Sequence, residues 1–197
     1  MVAIRTLTGV DENELLRLGA SLEVASEHPL AAAIVRSAQE RRLNLSTVSE
    51  FDTPVGKGVT GIVEGKQIVI GNTRIMEQTK IDTRALDLPA DELRKDGATA
   101  IFVSVDGKAS GILAIADPVK ATTPEAVKLT PPLLQDAGIR VIMLTGDNAT
   151  TARAVARKLG ISDVEAEVLP EDKGKIVDRL RREGRVVAMA GDGINDA

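Results

Sequence analysis

The chain has 197 residues, 43% of them hydrophobic, with a mean hydropathy of +0.01 and a formal net charge of −4, enough for one large or two small domains around an aliphatic core. Two Phe and no Tyr or Trp leave no stacking platforms for single-stranded nucleic acid, and no dense basic stretch serves a duplex or an anionic membrane surface. The absence of cysteine excludes disulfides and thiolate metal sites and suits a reducing cytosol; apolar runs of about five or six residues fall far short of the roughly 20 that a membrane helix needs, and no signal peptide precedes the polar residues around Arg5.

Along the chain, Asp11-Glu12-Asn13-Glu14 has capping-box spacing and precedes Leu15, Leu16, Leu18 and Leu22, which predicts a helix ending near Glu23. Pro29 suits a first helical position, so His28 is expected as the N-cap of a second helix through Leu30, Ile34, Val35 and Ala38. Apolar runs flank Gly65, and another pair flanks Asp106-Gly107; both read as β-hairpins. The first half is thus expected to be an antiparallel sheet with two helices packed on it. From about Asp117 helix and strand alternate. A helix starts at Thr123-Pro124-Glu125 and is broken by Pro131-Pro132. A buried strand follows at 139–144, a helix at 148–159 closed by Gly160, a helix at 171–182 closed by Gly184, and a strand at 186–190. Alternation of this kind predicts a parallel sheet covered by helices.

Five constellations carry chemistry. Thr145-Gly146-Asp147 follows a strand and precedes a helix, where a hydroxyl and a backbone N–H can hold a phosphoryl oxygen, or simply cap the helix. Lys173 sits near a helix start, a poor place for a cation as a dipole device but a good one for neutralising phosphate; a solvated surface lysine is the plainer reading. Gly191-Asp192-Gly193-Ile194-Asn195-Asp196 offers carboxylate and amide oxygens at the carboxyl edge of the expected sheet, where open α/β sheets bind ligands and where Mg²⁺ finds hard donors; a turn-forming loop is the alternative. His28, the single histidine, is read as a cap or as an adenine-contacting side chain near Glu23 and Glu27. Gly56-Lys57-Gly58 and Gly71 allow a close backbone approach to a ligand, or a turn.

Taken in order, Ser26-Glu27-His28-Pro29-Leu30, Gly56-Lys57-Gly58, Gly71-Asn72, Asp117-Pro118, Thr145-Gly146-Asp147-Asn148, Pro170-Glu171-Asp172-Lys173 and Gly191-Asp192-Gly193-Ile194-Asn195-Asp196 resemble the large cytosolic loop of heavy-metal-transporting (type IB) P-type ATPases over nearly the whole chain. The last three motifs are also shared, more loosely, with the haloacid dehalogenase superfamily. The resemblance implies a nucleotide-binding domain over 1–115, a hinge near 115–119, and a haloacid-dehalogenase-like, Rossmann-like parallel α/β phosphorylation domain over 116–197. It implies that Glu23, His28, Gly56, Gly58 and Gly71 line an adenosine pocket for ATP. It further implies that Thr145 bonds the transferring phosphoryl group, Asp147 contacts nucleotide or orients the loop, Lys173 neutralises charge, and Asp192, with Asn195 and Asp196, holds Mg²⁺. Asp117-Pro118-Val119-Lys120 and Pro54-Val55-Gly56-Lys57-Gly58 are more similar to the copper(I)/silver branch than to the zinc/cadmium branch.

One departure stands out. The family's nucleophilic Asp lies in an Asp-Lys-Thr-Gly-Thr motif that does not occur here; Thr6-Leu7-Thr8-Gly9 lacks the preceding Asp and Lys. The expectation is therefore an excised, monomeric piece from the cytoplasmic side of a membrane pump, binding nucleotide without normal turnover. Its partners in the parent would be the transmembrane and actuator domains. Its phosphorylation-domain sheet would be incomplete, with an exposed edge beside the 139 and 186 strands prone to pairing. A phosphatase of the haloacid dehalogenase type and a non-catalytic nucleotide-sensing module are the alternatives.

Overall fold

The computed structural model describes residues 2–115, 133–134 and 136–190. The chain divides into two compact units, Met1–Val119 and Lys120–Ala197, each taken here by itself.

Six strands of the first unit, β1 (Val2–Thr6), β2 (Val48–Asp52), β3 (Gly58–Val63), β4 (Lys66–Gly71), β5 (Thr99–Val105) and β6 (Lys108–Ile115), form one antiparallel sheet in the order β1-β6-β5-β4-β3-β2. Both expected hairpins are present, and the reason is local. Glu64 and Gly65 turn β3 into β4 with φ of 53° and 75°, and Asp106 and Gly107 turn β5 into β6 with φ of 48° and 74°, the double positive φ of a turn whose twist matches the strands it joins. The Asp106 carboxylate also accepts from the Gln67 amide at 2.9 Å, fastening that turn to the neighbouring strand.

Alternation along the strands sends side chains to two cores. Val59, Val63, Ile68, Ile70, Ile101, Val103 and Leu113 face helices α1 (Glu12–Glu23) and α2 (Pro29–Glu40), the pair expected from the sequence. Val69, Ala100, Phe102 and Ile112 face the other way, with Ile75, Met76, Leu86 and Ala90 from α3 (Thr73–Gln78), a short 3₁₀ turn (Arg84–Leu86) and α4 (Asp87–Lys95). That second helical layer, and strands β1 and β2, are additions to the sequence reading. Asp11 caps α1 by accepting from the Glu14 amide at 2.8 Å. Glu14 does not complete a reciprocal box, because its carboxylate is engaged by Arg17 and Lys66.

In the second unit β7 (Ile142–Leu144) pairs in parallel with β8 (Asp163–Glu165). Helix α5 (Ala149–Leu159) is capped by the Asn148 side chain at its start and by left-handed Gly160 at its end; helix α6 (Pro170–Arg182) has Pro170 in its first turn and is followed by Gly184 at φ 79°. Two expectations need correction. The strand expected at 139–144 begins only at Ile142, with Ile139 51% exposed. The expected strand at 186–190 does not form: the segment has no regular secondary structure and Val186 is fully exposed. An apolar run becomes a buried parallel strand only where neighbours pair with it and helices cover both faces, and among the described residues no strand lies against 186–190. The Asp117-Pro118 motif, the hinge past Ile115 and the helix starting at Thr123 lie outside the described residues.

Candidate functional site: a cleft at the end of helix α1

Helix α1 ends at Glu23 and the chain turns through 24–28 into α2. His28 is the N-cap: its Nδ1 accepts from the Leu30 amide at 3.2 Å, and Pro29 occupies the first helical position. The cap fixes the ring at the mouth of a cleft of about 360 Å³. Glu23, Ser26, Glu27, Val35, Gln39 and Leu45 are among the residues that share it. Glu23 is 7% exposed. Burial pushes its carboxyl above the ordinary value, against a smaller opposing effect from a hydrogen bond with Ser26. The Ser26 hydroxyl also accepts from the His28 amide at 3.3 Å. His28 presents an exposed edge to solvent, but desolvation by the cleft walls lowers its pKa, favouring the neutral imidazole. The cleft thus offers a mostly apolar bed with an imidazole and a buried carboxyl, groups that can hydrogen-bond to the edge of a heterocycle.

Glu23 and His28, two of the five expected pocket residues, are brought together. Gly56, Gly58 and Gly71 are not among the residues that line this cleft. Gly58 and Gly71 are cross-strand partners on β3 and β4. A Cβ on Gly58 would overlap the Ile70 carbonyl oxygen, and one on Gly71 would overlap the Lys57 carbonyl oxygen and crowd the Gly58 Cα at 2.8 Å. The close approach these glycines allow is therefore first of all between two strands. Gly56 has φ 69°, and its carbonyl accepts from the Asn72 side chain at 3.0 Å. That carboxamide also caps α3 through the Arg74 and Ile75 amides. The loop 56–58 is thereby clipped to the start of α3. Sequence reasoning missed Val35, Gln39 and Leu45 in the cleft wall; they are ordinary helix and loop residues with no local signal, and only the fold of α2 against α1 collects them.

In the second unit Thr145 stands directly after β7. Its hydroxyl accepts from the Asp147 amide at 3.1 Å and donates to the Asp147 carboxylate at 2.9 Å, a closed turn in which Asn148, not Thr145, caps the following helix. The Thr145 amide donates to the Glu165 carbonyl, and the Val168 and Glu167 amides donate to the carbonyls of Thr145 and Asp147. Asn148 Nδ2 reaches Glu167 at 3.1 Å. These bonds tie the Thr145 turn to the segment that leads into α6, on whose first turns Lys173 lies. Asp192, Asn195 and Asp196 lie outside the described residues. Among the described residues no helix is long and apolar enough to cross a membrane.

The family model of haloacid dehalogenase-like hydrolases matches residues 3–197. The chain is 50% identical to the silver exporting P-type ATPase of Salmonella typhimurium over 98% of this chain and 24% of the relative. It is also 50% identical to the copper-exporting P-type ATPase of Legionella pneumophila over 94% of this chain and 25% of the relative. Among solved structures it resembles a zinc-transporting PIB-type ATPase in its E2.Pi state, with a TM-score of 0.62 and 36% identity over 98% of this chain and 30% of that one. The chain spans about a quarter of the length of the curated relatives it matches. With the family model covering all but its first two residues, the chain belongs to the haloacid dehalogenase-like hydrolases.

Proposed function

We propose that the chain is the ATP-binding catalytic region of a heavy-metal-exporting P-type ATPase, with residues 1–115 as nucleotide-binding domain and 116–197 as most of the phosphorylation domain. Copper(I) or silver is the proposed cargo. The names of the relatives at 50% identity, against 36% for the zinc transporter, support that choice. The observation that carries the nucleotide reading is the cleft that unites Glu23, Ser26 and His28. An adenine base fits its chemistry: the imidazole and the carboxyl hydrogen-bond the ring edge while Val35 and Leu45 supply the apolar bed that stacking aromatics would otherwise provide. In the second unit Thr145 would give a hydroxyl to the transferring phosphoryl group, and Lys173 would neutralise its charge. Asp192, Asn195 and Asp196 carry the oxygen donors that Mg²⁺ takes, and the ion would offset the negative charge of the phosphates. Because Asp-Lys-Thr-Gly-Thr does not occur in this sequence, an aspartyl phosphate has no place to form on this chain at the family's position, and the chain alone is expected to bind nucleotide without turning over. In the parent protein the region would work on the cytoplasmic side of a membrane, against transmembrane and actuator domains.

The test is an ATP titration followed by NMR. The chain has one histidine, so a single imidazole resonance reports on the cleft. Its shift should saturate with nucleotide, and His28→Gln should weaken binding about tenfold, the loss of one hydrogen bond made in a desolvated site. An imidazole resonance unmoved by millimolar ATP would defeat the proposal.

A further inference from the structure

A polar network that runs from buried Ser21 out to exposed Glu64 takes no part in lining the cleft. Ser21, fully buried on α1, donates its hydroxyl to the Arg17 carbonyl at 2.7 Å and accepts from the Ser46 amide at 3.0 Å. The Ser46 hydroxyl donates to Glu64 Oε1 at 2.6 Å and accepts from Arg17 Nη1 at 3.1 Å. Arg17 meets Glu64 with two parallel bonds, both 2.8 Å, and meets Glu14 through Nε and Nη2 at 2.8 and 3.0 Å. Lys66 reaches Glu14 at 3.3 Å. Forked guanidinium–carboxylate bonds are the geometrically selective kind, and the Arg17 side chain is only 19% exposed. Glu64 is held down to about 2 by Arg17 first and Ser46 second, so it stays charged throughout the physiological range.

The arrangement joins three pieces of chain distant in sequence: helix α1, the connection 41–47 between α2 and β2, and the β3–β4 turn. Ser46 directly follows Leu45, and Ser21 precedes Glu23 by two residues; Leu45 and Glu23 are both in the cleft wall. We propose that Ser21, Ser46, Arg17 and Glu64 act as a polar strut that holds the 41–47 connection against α1, and so sets the position of Leu45 and the width of the cleft. Arg17, Ser21 and Glu64 are then positioning residues for a ligand that none of them touches. The inference rests on the nucleotide reading only for the identity of that ligand; the cleft geometry is a property of the free chain.

The test uses the whole chain with Ser21→Ala, Glu64→Ala and Glu64→Gln. Ser21→Ala leaves the Ser46 amide without its acceptor. Glu64→Ala removes the shared acceptor of Ser46 and Arg17 at a turn position with a 43% exposed side chain, where folding is not at risk. Glu64→Gln keeps one oxygen for Ser46 and Arg17 Nη1 but turns an amide donor toward Arg17 Nη2, so half of the fork is lost. Three quantities are read: the titration of His28 by NMR without nucleotide, the ATP affinity, and the melting temperature. Among cleft-lining residues the other titratable groups facing His28 are Glu23 and Glu27, and none of the substitutions alters them. If the strut sets the cleft, Ser21→Ala and Glu64→Ala rehydrate the imidazole, move its pKa up toward the ordinary value, and weaken ATP binding about three- to tenfold, while Glu64→Gln, which keeps one of the two acceptor oxygens, falls between Glu64→Ala and the parent on both readouts. A lowered melting temperature with His28 titration and ATP affinity unchanged in both alanine variants would overturn the inference and leave the network as mere scaffolding. Should the parent chain not bind ATP at all, the functional proposal falls, and the strut is judged on the His28 titration alone.

Discussion

Gly58 offers a sharp test of what the glycines of the first unit do. Its φ is +148°, and the Cβ of an alanine would collide with the Ile70 carbonyl oxygen and lie 2.6 Å from the Gly71 Cα. These are backbone atoms of the paired strand, which cannot rotate away. Overpacking of this kind costs about 1–3 kcal/mol, and a Gly-only backbone conformation forced on alanine about 1–3 kcal/mol more. Since relaxation relieves part of both, a combined cost near 3 kcal/mol is expected for Gly58→Ala. Gly65→Ala is the matched control: φ is also positive, at 75°, but nothing lies within 4 Å of the added Cβ, so only the left-handed cost of about 1–2 kcal/mol applies. Amide hydrogen exchange along the β3–β4 ladder, where Val59 pairs with Ile70, reads this locally. About 3 kcal/mol corresponds to a more than hundredfold loss of protection in Gly58→Ala, and the control should lose much less. If Gly58→Ala keeps parent-like protection at Val59 and Ile70 and yet loses ATP affinity, the steric reasoning is wrong and Gly58 touches the nucleotide directly. If protection collapses, loss of ATP binding in this variant says nothing about contact with the ligand.

The pH dependence of the first unit follows from the cleft. Glu23 titrates at about its ordinary 4.5 when unfolded and higher when folded, so its contribution to stability is complete below the unfolded value and is lost as pH rises through the folded one; Glu23→Gln should raise the urea midpoint at pH 7 and flatten its decline above pH 4.5. His28 runs the other way: its folded pKa lies below 6.5, so stability present above 6.5 is lost as pH falls through the folded value, and His28→Gln should remove that acid-side slope in the same titration. In the second unit Asn148→Ala removes both the cap on the Thr150 amide at 2.9 Å and the bond to Glu167 at 3.1 Å; a cap is worth about 1 kcal/mol, and exchange of the first-turn amides of α5 should accelerate accordingly. Unchanged exchange there would show that Asn148 is not what holds the helix start.

The two hairpins, the caps Asp11 and His28, and the Gly160 stop were legible because each is local: a turn or cap is decided within four or five residues by positive φ or by one side chain meeting one amide. The Glu23–His28 pairing was legible for nearly the same reason, since one short turn separates them. What only the tertiary structure decided is non-local. Strands β1, β2 and β8 have short or irregular patterns and exist because a neighbour offers a ladder; 186–190 has a strong apolar pattern and is coil, with no strand against it among the described residues. Leu45, Val35 and Gln39 enter the cleft, and Ser21, Ser46, Arg17 and Glu64 meet one another, only when α1, α2 and the β3–β4 turn are packed together. Gly58 and Gly71 read in the sequence as room for a ligand; the structure adds that pairing of β3 with β4 itself requires both positions to lack a Cβ. Residue spacing fixes what a segment can do alone, while pairing and burial depend on which distant segment comes to lie against it.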